Sequence, residues 1–479
     1  MLFNSAGFLI FFPIIFFLYW FVTNGNLKWQ NILLLVASYF FYAFWDWRFL
    51  FLLIFSTALD YFTGLKMEQY DDQKKKRFWF WLSVCINLGF LGIFKYYNFF
   101  IGSFAEALST IGINVNVWTI KVILPVGISF YTFHGLSYVI DIYKGKIKAE
   151  RDFVDYSLFV SYFPLLVAGP IERATHLLPQ LKVQRKFNAA HAISGLELMI
   201  WGFFKKVVIA DSMSLIVNKV YADSPAYGSA SLIIAAVAFS FQIYCDFSGY
   251  SDIAIGASKI LGIDLLQNFN FPYLSRSIAE FWRRWHISLS SWFRDYLYIP
   301  LGGSKLSLLL SIRNVFIIFL VSGIWHGANW TFLIWGGIHA LLFIPSFILG
   351  SNRKYKEDIV HRNKILPSIA DLFQIAVTFL FVTIAWIFFR AVTVSQAVQF
   401  INKIIHNAKG KSLEFGNSEI LGYIIVFATF FSVSIYWLYR KNHFVLPTRI
   451  KQFTVSVILL ILITLFGEFS RQSFIYFQF

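Results

Sequence analysis

Two histidines in apolar surroundings are the residues best suited to chemistry. His286 lies in FWRRWHISLSSWFRDYLYIPLGG (residues 281–303), and His326 lies in SGIWHGANWTFLIWGGIHA (residues 322–340). Ionisable side chains at membrane depth are costly, so His326, between two hydrophobic runs, is by default a functional hypothesis. A neutral histidine beside a hydroxyl can accept its proton. The alternative is a histidine bonded to a neighbouring carbonyl, which suits His339 better than His326.

The segment around His286 is also rich in arginine. A helical wheel for residues 276–296 places the large apolar side chains on one stripe and Arg283 and Arg294 on the other side, with His286 at the edge. This pattern predicts an amphipathic helix at the cytoplasmic interface. Arg283, Arg284 and Arg294 could attract an anionic ligand. Snorkelling arginines on an ordinary interfacial helix remain an equal alternative.

A third polar segment, YCDFSGYSDIAIG (residues 244–256), carries Asp246 and Asp252. Its spacing matches no standard set of metal ligands, so no metal site is predicted. Cys85 and Cys245 both lie in apolar segments and indicate neither a disulfide framework nor a metal site.

These residues must be positioned by membrane helices. The chain is 58% hydrophobic and 14% charged, whereas soluble domains are roughly half apolar and a quarter charged. The apolar residues form runs of about 18 to 22, which is the length that spans a bilayer. We therefore expect an all-α polytopic membrane protein, with residues 1–479 as a single domain. The net charge of +16 is scattered over short loops, which indicates cytoplasmic basic loops and not nucleic-acid binding.

The basic loops predict the topology. Alternating their sides places the N-terminus and the C-terminus outside the cytoplasm and gives twelve crossings. The twelve predicted crossings are residues 3–22, 29–45, 49–65, 78–96, 120–140, 192–210, 229–247, 307–324, 329–349, 368–389, 420–439 and 452–467. Residues 157–170 are too short and too broken by Pro and Gly to cross, and they are predicted to be re-entrant. The aromatic tail, residues 470–479, is predicted either to dock a partner or to anchor at the interface.

Two long motifs carry a family resemblance. NFNFPYLSRSIAEFWRRWHISLSSWFRDYLYIPLGG (residues 268–303) and GIWHGANWTFLIWGGIHA (residues 323–340) resemble the membrane-bound O-acyltransferase family. The chain is most similar to the bacterial branch that O-acetylates alginate and peptidoglycan. LVAGPIER (residues 166–173) and the 244–256 segment also fit that branch. The teichoic-acid D-alanyl transferases are a more distant resemblance.

The resemblance implies a catalytic role for His326 and places His286 as a second polar position in the same cavity. It implies a ring of about 11–12 helices around a tunnel. Acetyl-CoA would be the donor, and Arg283, Arg284 and Arg294 could attract its phosphates. No cofactor would be permanently bound, and the acceptor would be a glycan hydroxyl outside the cytoplasm. A periplasmic or secreted partner would carry the acetyl group onward. It further implies location in the bacterial cytoplasmic membrane.

Two rival interpretations stay open at this stage. In a transporter or channel, buried histidines would serve substrate or proton passage, but no inverted repeat is visible in the sequence. The second rival is an acyltransferase-like scaffold that has lost its activity, and the intact histidines argue against it.

Overall fold

The computed structural model describes residues 1–116, 118–119, 123–167, 169–355, 367–441, 449–469 and 474–475. In these ranges the regular structure is helical, and a single residue bridge joins Tyr227 and Lys411. This confirms the predicted all-α class.

The first half of the chain forms helices that contribute mainly to one compact unit. They are α1 (Ala6–Phe17), α2 (Leu27–Ala43), α3 (Arg48–Gln69), α4 (Gln73–Leu91), α5 (Tyr97–Thr110), α6 (Ile128–Tyr143), α7 (Phe153–Ser161), α8 (Phe163–Leu166), α9 (Ala174–Leu181) and α10 (Ala189–Phe203).

The second half contains the remaining helices. They are α11 (Asp211–Ala222), α12 (Ser229–Ile260), α13 (Ile278–Arg284), α14 (Ile287–Phe293), α15 (Leu308–His326), α16 (Trp330–Ile348), α17 (Ile369–Arg390), α18 (Val394–Ile405), α19 (Asn417–Lys441) and α20 (Arg449–Phe466).

The chain separates into two compact units. The first comprises Met1–Leu196 with Ala254–Leu266, and the second comprises Glu197–Ile253 with Gln267–Phe479. All of the candidate site residues named above lie in the second unit. The single-domain organisation stays a prediction.

Seven helical segments of the described chain are long and apolar enough to cross a membrane. They are Arg48–Gln69, Gln73–Thr110, Ser229–Ile260, Leu308–His326, Trp330–Ile348, Ile369–Arg390 and Asn417–Leu438. Two shorter apolar helices, Ala6–Val22 and Ile450–Phe466, match two further predicted crossings.

Three of the twelve predicted crossings correspond to other elements. The 29–45 crossing corresponds to the 17-residue α2. The 192–210 crossing corresponds to α10 followed by a π-helical turn, Phe204–Ala210. The 120–140 crossing begins only at Ile128, the first residue of α6, and its residues 120–122 lie outside the described residues.

The predicted continuous helix over residues 276–296 is wrong. The chain instead forms α13 and α14, with a break at Trp285 and His286, and His286 adopts the left-handed conformation with φ 43°. The preceding loop stabilises the break, because Asn270 N donates to Arg284 O at 2.9 Å and Ile287 N donates to Asn268 O at 2.8 Å. These bonds satisfy backbone groups that the ends of two short helices leave open.

The segment predicted to be re-entrant is also broken and buried. It contains α7 and α8, which are separated at Tyr162, and Phe163 N donates to Ser38 Oγ at 3.0 Å. The described residues 156–167 are all buried, so protein shelters this irregular backbone, as a re-entrant segment requires. Its re-entry into a membrane stays a prediction.

The predicted docking tail lies mostly outside the described residues. Its described residues, Phe474 and Ile475, are both buried. Ile475 N donates to Asp246 Oδ2 at 2.8 Å, and the Phe474 ring lies 4.8 Å from the Tyr250 ring. At these two positions the tail packs against α12, so they are not available to a partner.

Glycines bring α15 and α16 close together. A Cβ atom at Gly323 would lie 2.4 Å from Phe332 O, and one at Gly336 would lie 2.3 Å from Phe319 O. Small residues of this kind allow close backbone approach between membrane helices. The close packing of α15 and α16 fixes the position of His326, the last residue of α15.

Candidate functional site

His326 is enclosed by aromatic rings. The side chain is buried, and its ring centroid lies 4.9 Å from Trp325, 5.0 Å from Trp335 and 5.3 Å from Phe389. The next residue is glycine for a steric reason, since a Cβ atom at Gly327 would lie 2.1 Å from the Phe332 ring. The tight turn after α15 therefore holds His326 in an aromatic cage.

His286 is anchored through one ring nitrogen. Its Nδ1 lies 2.8 Å from Asn268 Oδ1, while its Nε2 has no hydrogen-bond partner among the described residues. Burial lowers the pKa of His286 to about 3, so the imidazole is neutral and carries a single N–H. The hydrogen-bond partner of Nδ1 decides which of the two ring nitrogens carries that hydrogen.

Both predicted catalytic histidines contact the same indole. The Trp325 ring centroid lies 5.9 Å from His286 and 4.9 Å from His326. The structure thus brings together two residues that are 40 positions apart in the sequence. Their catalytic roles stay predictions.

A third histidine belongs to the same aromatic cluster. His339 is buried, its ring lies 5.0 Å from Trp335, and its Nδ1 accepts a hydrogen bond from Trp282 Nε1 at 3.2 Å. The sequence suggested that His339 bonds to a neighbouring carbonyl. Its partner in the structure is instead the indole of Trp282.

The structure separates the three predicted donor-binding arginines. Arg284 is buried in an ion pair with Glu280, with 2.5 Å between Nη2 and Oε1. Arg283 donates to Asn352 O at 2.7 Å. Arg294 pairs with Asp295 at 2.8 Å, and its side chain is 62% exposed. Arg294 therefore keeps access to a ligand, and Arg284 has a structural partner.

Two of these arginines line a cavity in the second unit. The cavity has a volume of about 310 Å³, and Arg283, Arg294 and Arg353 line it together with aromatic and aliphatic side chains. Arg284 is not in the lining. Ser322, one helical turn before His326 on α15, also lines the cavity, so the cavity extends along α15 toward the histidine.

The carboxylates of residues 244–256 are neutralised by lysines. Lys206 Nζ lies 2.8 Å from both Asp211 Oδ1 and Asp246 Oδ1, and Lys205 Nζ lies 2.5 Å from Asp252 Oδ2. No group of three His, Cys, Asp or Glu side chains in the described ranges is arranged to hold a metal ion. The lysine pair in FFKKVVIA was a readable signal that the sequence interpretation did not use.

Asn268 is the other residue that sequence reasoning missed. It opens the long motif of residues 268–303, but an asparagine in a loop has many local uses, and its contact with His286 depends on the fold.

Comparison with known proteins identifies the family. The model of the membrane-bound O-acyltransferase family matches residues 144–384. The probable alginate O-acetylase AlgI of Pseudomonas aeruginosa is 41% identical over 394 residues, covering 82% of this chain and 72% of that protein. The peptidoglycan O-acetyltransferase of Helicobacter pylori is 35% identical over 434 residues, covering 85% and 80%.

A more distant relative is the teichoic acid D-alanyltransferase of Bacillus subtilis, 31% identical over 245 residues that cover 48% of this chain and 61% of that protein. These matches confirm the resemblance seen in the two long motifs. The chain belongs to the membrane-bound O-acyltransferase family and is a multi-pass membrane acyltransferase.

Proposed function

We propose that this protein transfers an acetyl group from acetyl-CoA toward the hydroxyl groups of an extracytoplasmic glycan. The observation that carries the proposal is the aromatic cluster that holds His286 and His326 against Trp325, beside a cavity whose lining includes three arginines. The names of the relatives, an alginate O-acetylase and a peptidoglycan O-acetyltransferase, support acetyl as the group and a glycan as the acceptor.

His326 is the proposed general base. It accepts the proton of the acceptor hydroxyl as the oxygen attacks the thioester carbonyl, and the same proton then reaches the departing sulfur. One C–O bond forms, one C–S bond breaks, and the thiol leaves protonated. The exchange of a thioester for an ester requires no oxidant and no permanently bound cofactor, and general-base assistance contributes about two to four powers of ten in rate.

The cavity suits the donor. Its apolar wall matches the pantetheine arm of coenzyme A, and Arg283, Arg294 and Arg353 supply positive charge for the phosphates. The volume of about 310 Å³ is at the lower end for ligand sites, so it fits the arm and not the whole coenzyme.

The rings around His326 favour a small acyl group. Trp325, Trp335 and Phe389 all have centroids within 5.3 Å of the imidazole. A long acyl chain beside His326 would have to displace at least one of these rings, whereas an acetyl group needs room for a single methyl.

The proposed location is the bacterial cytoplasmic membrane, with both termini outside. In this arrangement the donor enters from the cytoplasm, and a periplasmic or secreted partner completes transfer to the glycan. Single cysteines at Gln73 and Ser473, in a protein without Cys85 and Cys245, test the orientation. An impermeant thiol reagent applied to intact cells should label position 473 and spare position 73, and the reverse pattern would overturn the orientation.

The activity itself is tested with purified protein in lipid nanodiscs. Radiolabelled acetyl-CoA is supplied with oligosaccharides of alginate or peptidoglycan, and acetyl-CoA breakdown and labelled glycan are both measured. We expect donor turnover that His326→Gln abolishes and that His406→Gln, at an exposed histidine, leaves intact. Turnover of a D-alanyl carrier protein without turnover of acetyl-CoA would replace the acetyl assignment. In a parallel reconstitution of the same protein into sealed vesicles, uptake of acetyl-CoA without any breakdown would favour a transporter.

A further inference from the structure

Asn268 contacts the loop and helices around His286 at several points. The residue is fully buried, and its Oδ1 accepts hydrogen bonds from His286 Nδ1 at 2.8 Å and Ser288 Oγ at 3.0 Å. Its Nδ2 donates to Ser251 Oγ at 3.1 Å. These three side-chain contacts use both ends of the amide, with its oxygen facing His286 and Ser288 and its nitrogen facing Ser251.

We infer that Asn268 is a positioning residue that holds His286 as the Nδ1–H tautomer and leaves Nε2 as a hydrogen-bond acceptor for a substrate. The inference rests on the proposed acyl transfer and adds a residue to it. A neutral imidazole has one donor nitrogen and one acceptor nitrogen, and the partner of one nitrogen decides the role of the other. With the hydrogen on Nδ1, the lone pair of His286 is on Nε2.

The open nitrogen indicates that the arrangement is incomplete without a ligand. His286 is fully buried, and its Nε2 has no hydrogen-bond partner among the described residues. Leaving a buried polar atom unpaired has a free-energy cost. A substrate O–H or S–H group that donates to Nε2 would remove that cost at the moment of binding.

The side chain of Asn268 can be changed without removing the loop contacts at the break between α13 and α14. Ile287 N bonds to the backbone oxygen of Asn268, and Asn270 N bonds to Arg284 O. Neither bond uses the Asn268 side chain. Variants of Asn268 should therefore keep the left-handed conformation of His286 while altering the contact with its ring.

No titratable side chain lies among the rings packed on His286. These rings are Phe247 at 4.6 Å, Trp325 at 5.9 Å and Phe269 at 6.3 Å. Asp246 on α12 and Arg284 on α13 are the neighbouring charged residues, and they pair with Lys206 and Glu280. His326 on α15 is the neighbouring titratable group, and its ring contacts Trp325. A carboxylate placed at position 268 would therefore be a new charge in direct contact with the imidazole.

The test compares Asn268→Asp with Asn268→Leu. Aspartate keeps an acceptor for the Nδ1–H, so its maximal kcat should remain within about tenfold of the wild type. Its charge would raise the pKa of His286, and an opposite charge in contact shifts a pKa by about 1–3 units. Because the neutral histidine is the active form, Asn268→Asp should lose kcat on acidification at a higher pH than the wild type does.

Leucine removes the acceptor and should lower kcat by about 10- to 100-fold, in line with the loss of an orienting partner of a catalytic histidine. The KM for acetyl-CoA should change little. Asn87→Leu, at a buried asparagine in the first unit, is the matched control. It should cost thermal stability without lowering kcat per folded molecule.

Two results would overturn the inference. Wild-type kcat and pH profile in Asn268→Leu would show that the contact does not position His286. A folded Asn268→Asp protein as inactive as Asn268→Leu would show that the amide acts through its NH2 group and selects the other tautomer.

A second readout does not require activity. In the 15N-histidine NMR spectrum, the His286 signals are assigned by their loss in His286→Gln. They should show a protonated Nδ1 and a bare Nε2 in the wild type and a mixture of tautomers in Asn268→Leu. A protonated Nε2 in the wild type would contradict the inference even if the protein proved not to use acetyl-CoA, so failure of the positioning role and failure of the proposed function are distinguishable.

Discussion

Two buried polar clusters in the second unit differ in how their hydrogen-bonding and charged groups are satisfied. In the lysine cluster, Lys206 is shared by Asp211 and Asp246, and Lys205 pairs with Asp252. In the histidine cluster, one nitrogen of His286 is bonded to Asn268, and the other has no partner in the described part of the chain. In the lysine cluster each carboxylate has a cationic partner, although Asp211 Oδ2 has no hydrogen-bond partner among the described residues. The histidine cluster instead holds a neutral ring whose open nitrogen can accept a hydrogen bond from a ligand.

The largest effect on stability is expected for Lys206→Met. It leaves Asp211 and Asp246 buried without their shared cation, and breaking a buried ion pair costs about 3–5 kcal/mol. We expect a large fall in the melting temperature in detergent, while the remaining folded protein keeps its turnover of acetyl-CoA. A stable Lys206→Met protein that has lost turnover would move the lysine cluster from structure to chemistry.

A smaller effect, on rate and not stability, is expected for His286→Ala. The proposed role is assistance to His326, so we expect a loss of kcat smaller than the roughly two to four powers of ten typical of an essential general base, or a rise in the apparent KM for acetyl-CoA. Steady-state kinetics over a range of donor concentrations separate these outcomes. Unchanged kinetics would assign His286 to structure, and a total loss in a folded protein would make it essential.

The smallest effect is expected for Arg294→Ala, which repeats the comparison among the arginines. Arg294 is exposed and lines the cavity, whereas Arg284 is buried against Glu280. Removing Arg294 should raise the KM for acetyl-CoA by a few fold, and less at high salt because exposed charges are screened. Arg284→Ala should instead lower the melting temperature. Equal KM values for Arg294→Ala and the wild type would remove Arg294 from the donor site.

Much of this architecture was readable from the sequence, because apolar runs of spanning length are a strong local signal. The positions of nine of the twelve predicted crossings agree with apolar helices in the described part of the chain. The sequence also singled out His326, since an ionisable side chain between two such runs is by default a functional hypothesis, and its catalytic role stays a prediction.

The break between α13 and α14 could not be predicted. Neither residue at the break, Trp285 or His286, is a glycine or a proline. The helical wheel for residues 276–296 assumed one continuous helix. The break depends on hydrogen bonds from Asn268 and Asn270 in the preceding loop, which are tertiary contacts. The pairing of Arg284 with Glu280 had a local signal, an i,i+4 spacing, but the arginine was interpreted as a donor contact.

The contacts within the aromatic cluster could not be predicted from the sequence either. Trp282 and His339 are 57 residues apart, and Trp325 touches His286 across 39 positions. Periodicity describes single helices, so it cannot specify which side chains of different helices meet.

The most direct test of the account is His326→Gln, measured for acetyl-CoA turnover and for melting temperature in the same preparation. Glutamine keeps polarity and approximate size but cannot take the proton. We predict a fall in turnover of about two to four powers of ten, with donor binding retained and a melting temperature within a few degrees of the wild type. A folded His326→Gln protein that turns over acetyl-CoA at nearly the wild-type rate would contradict the assignment of the histidine cluster as the catalytic site.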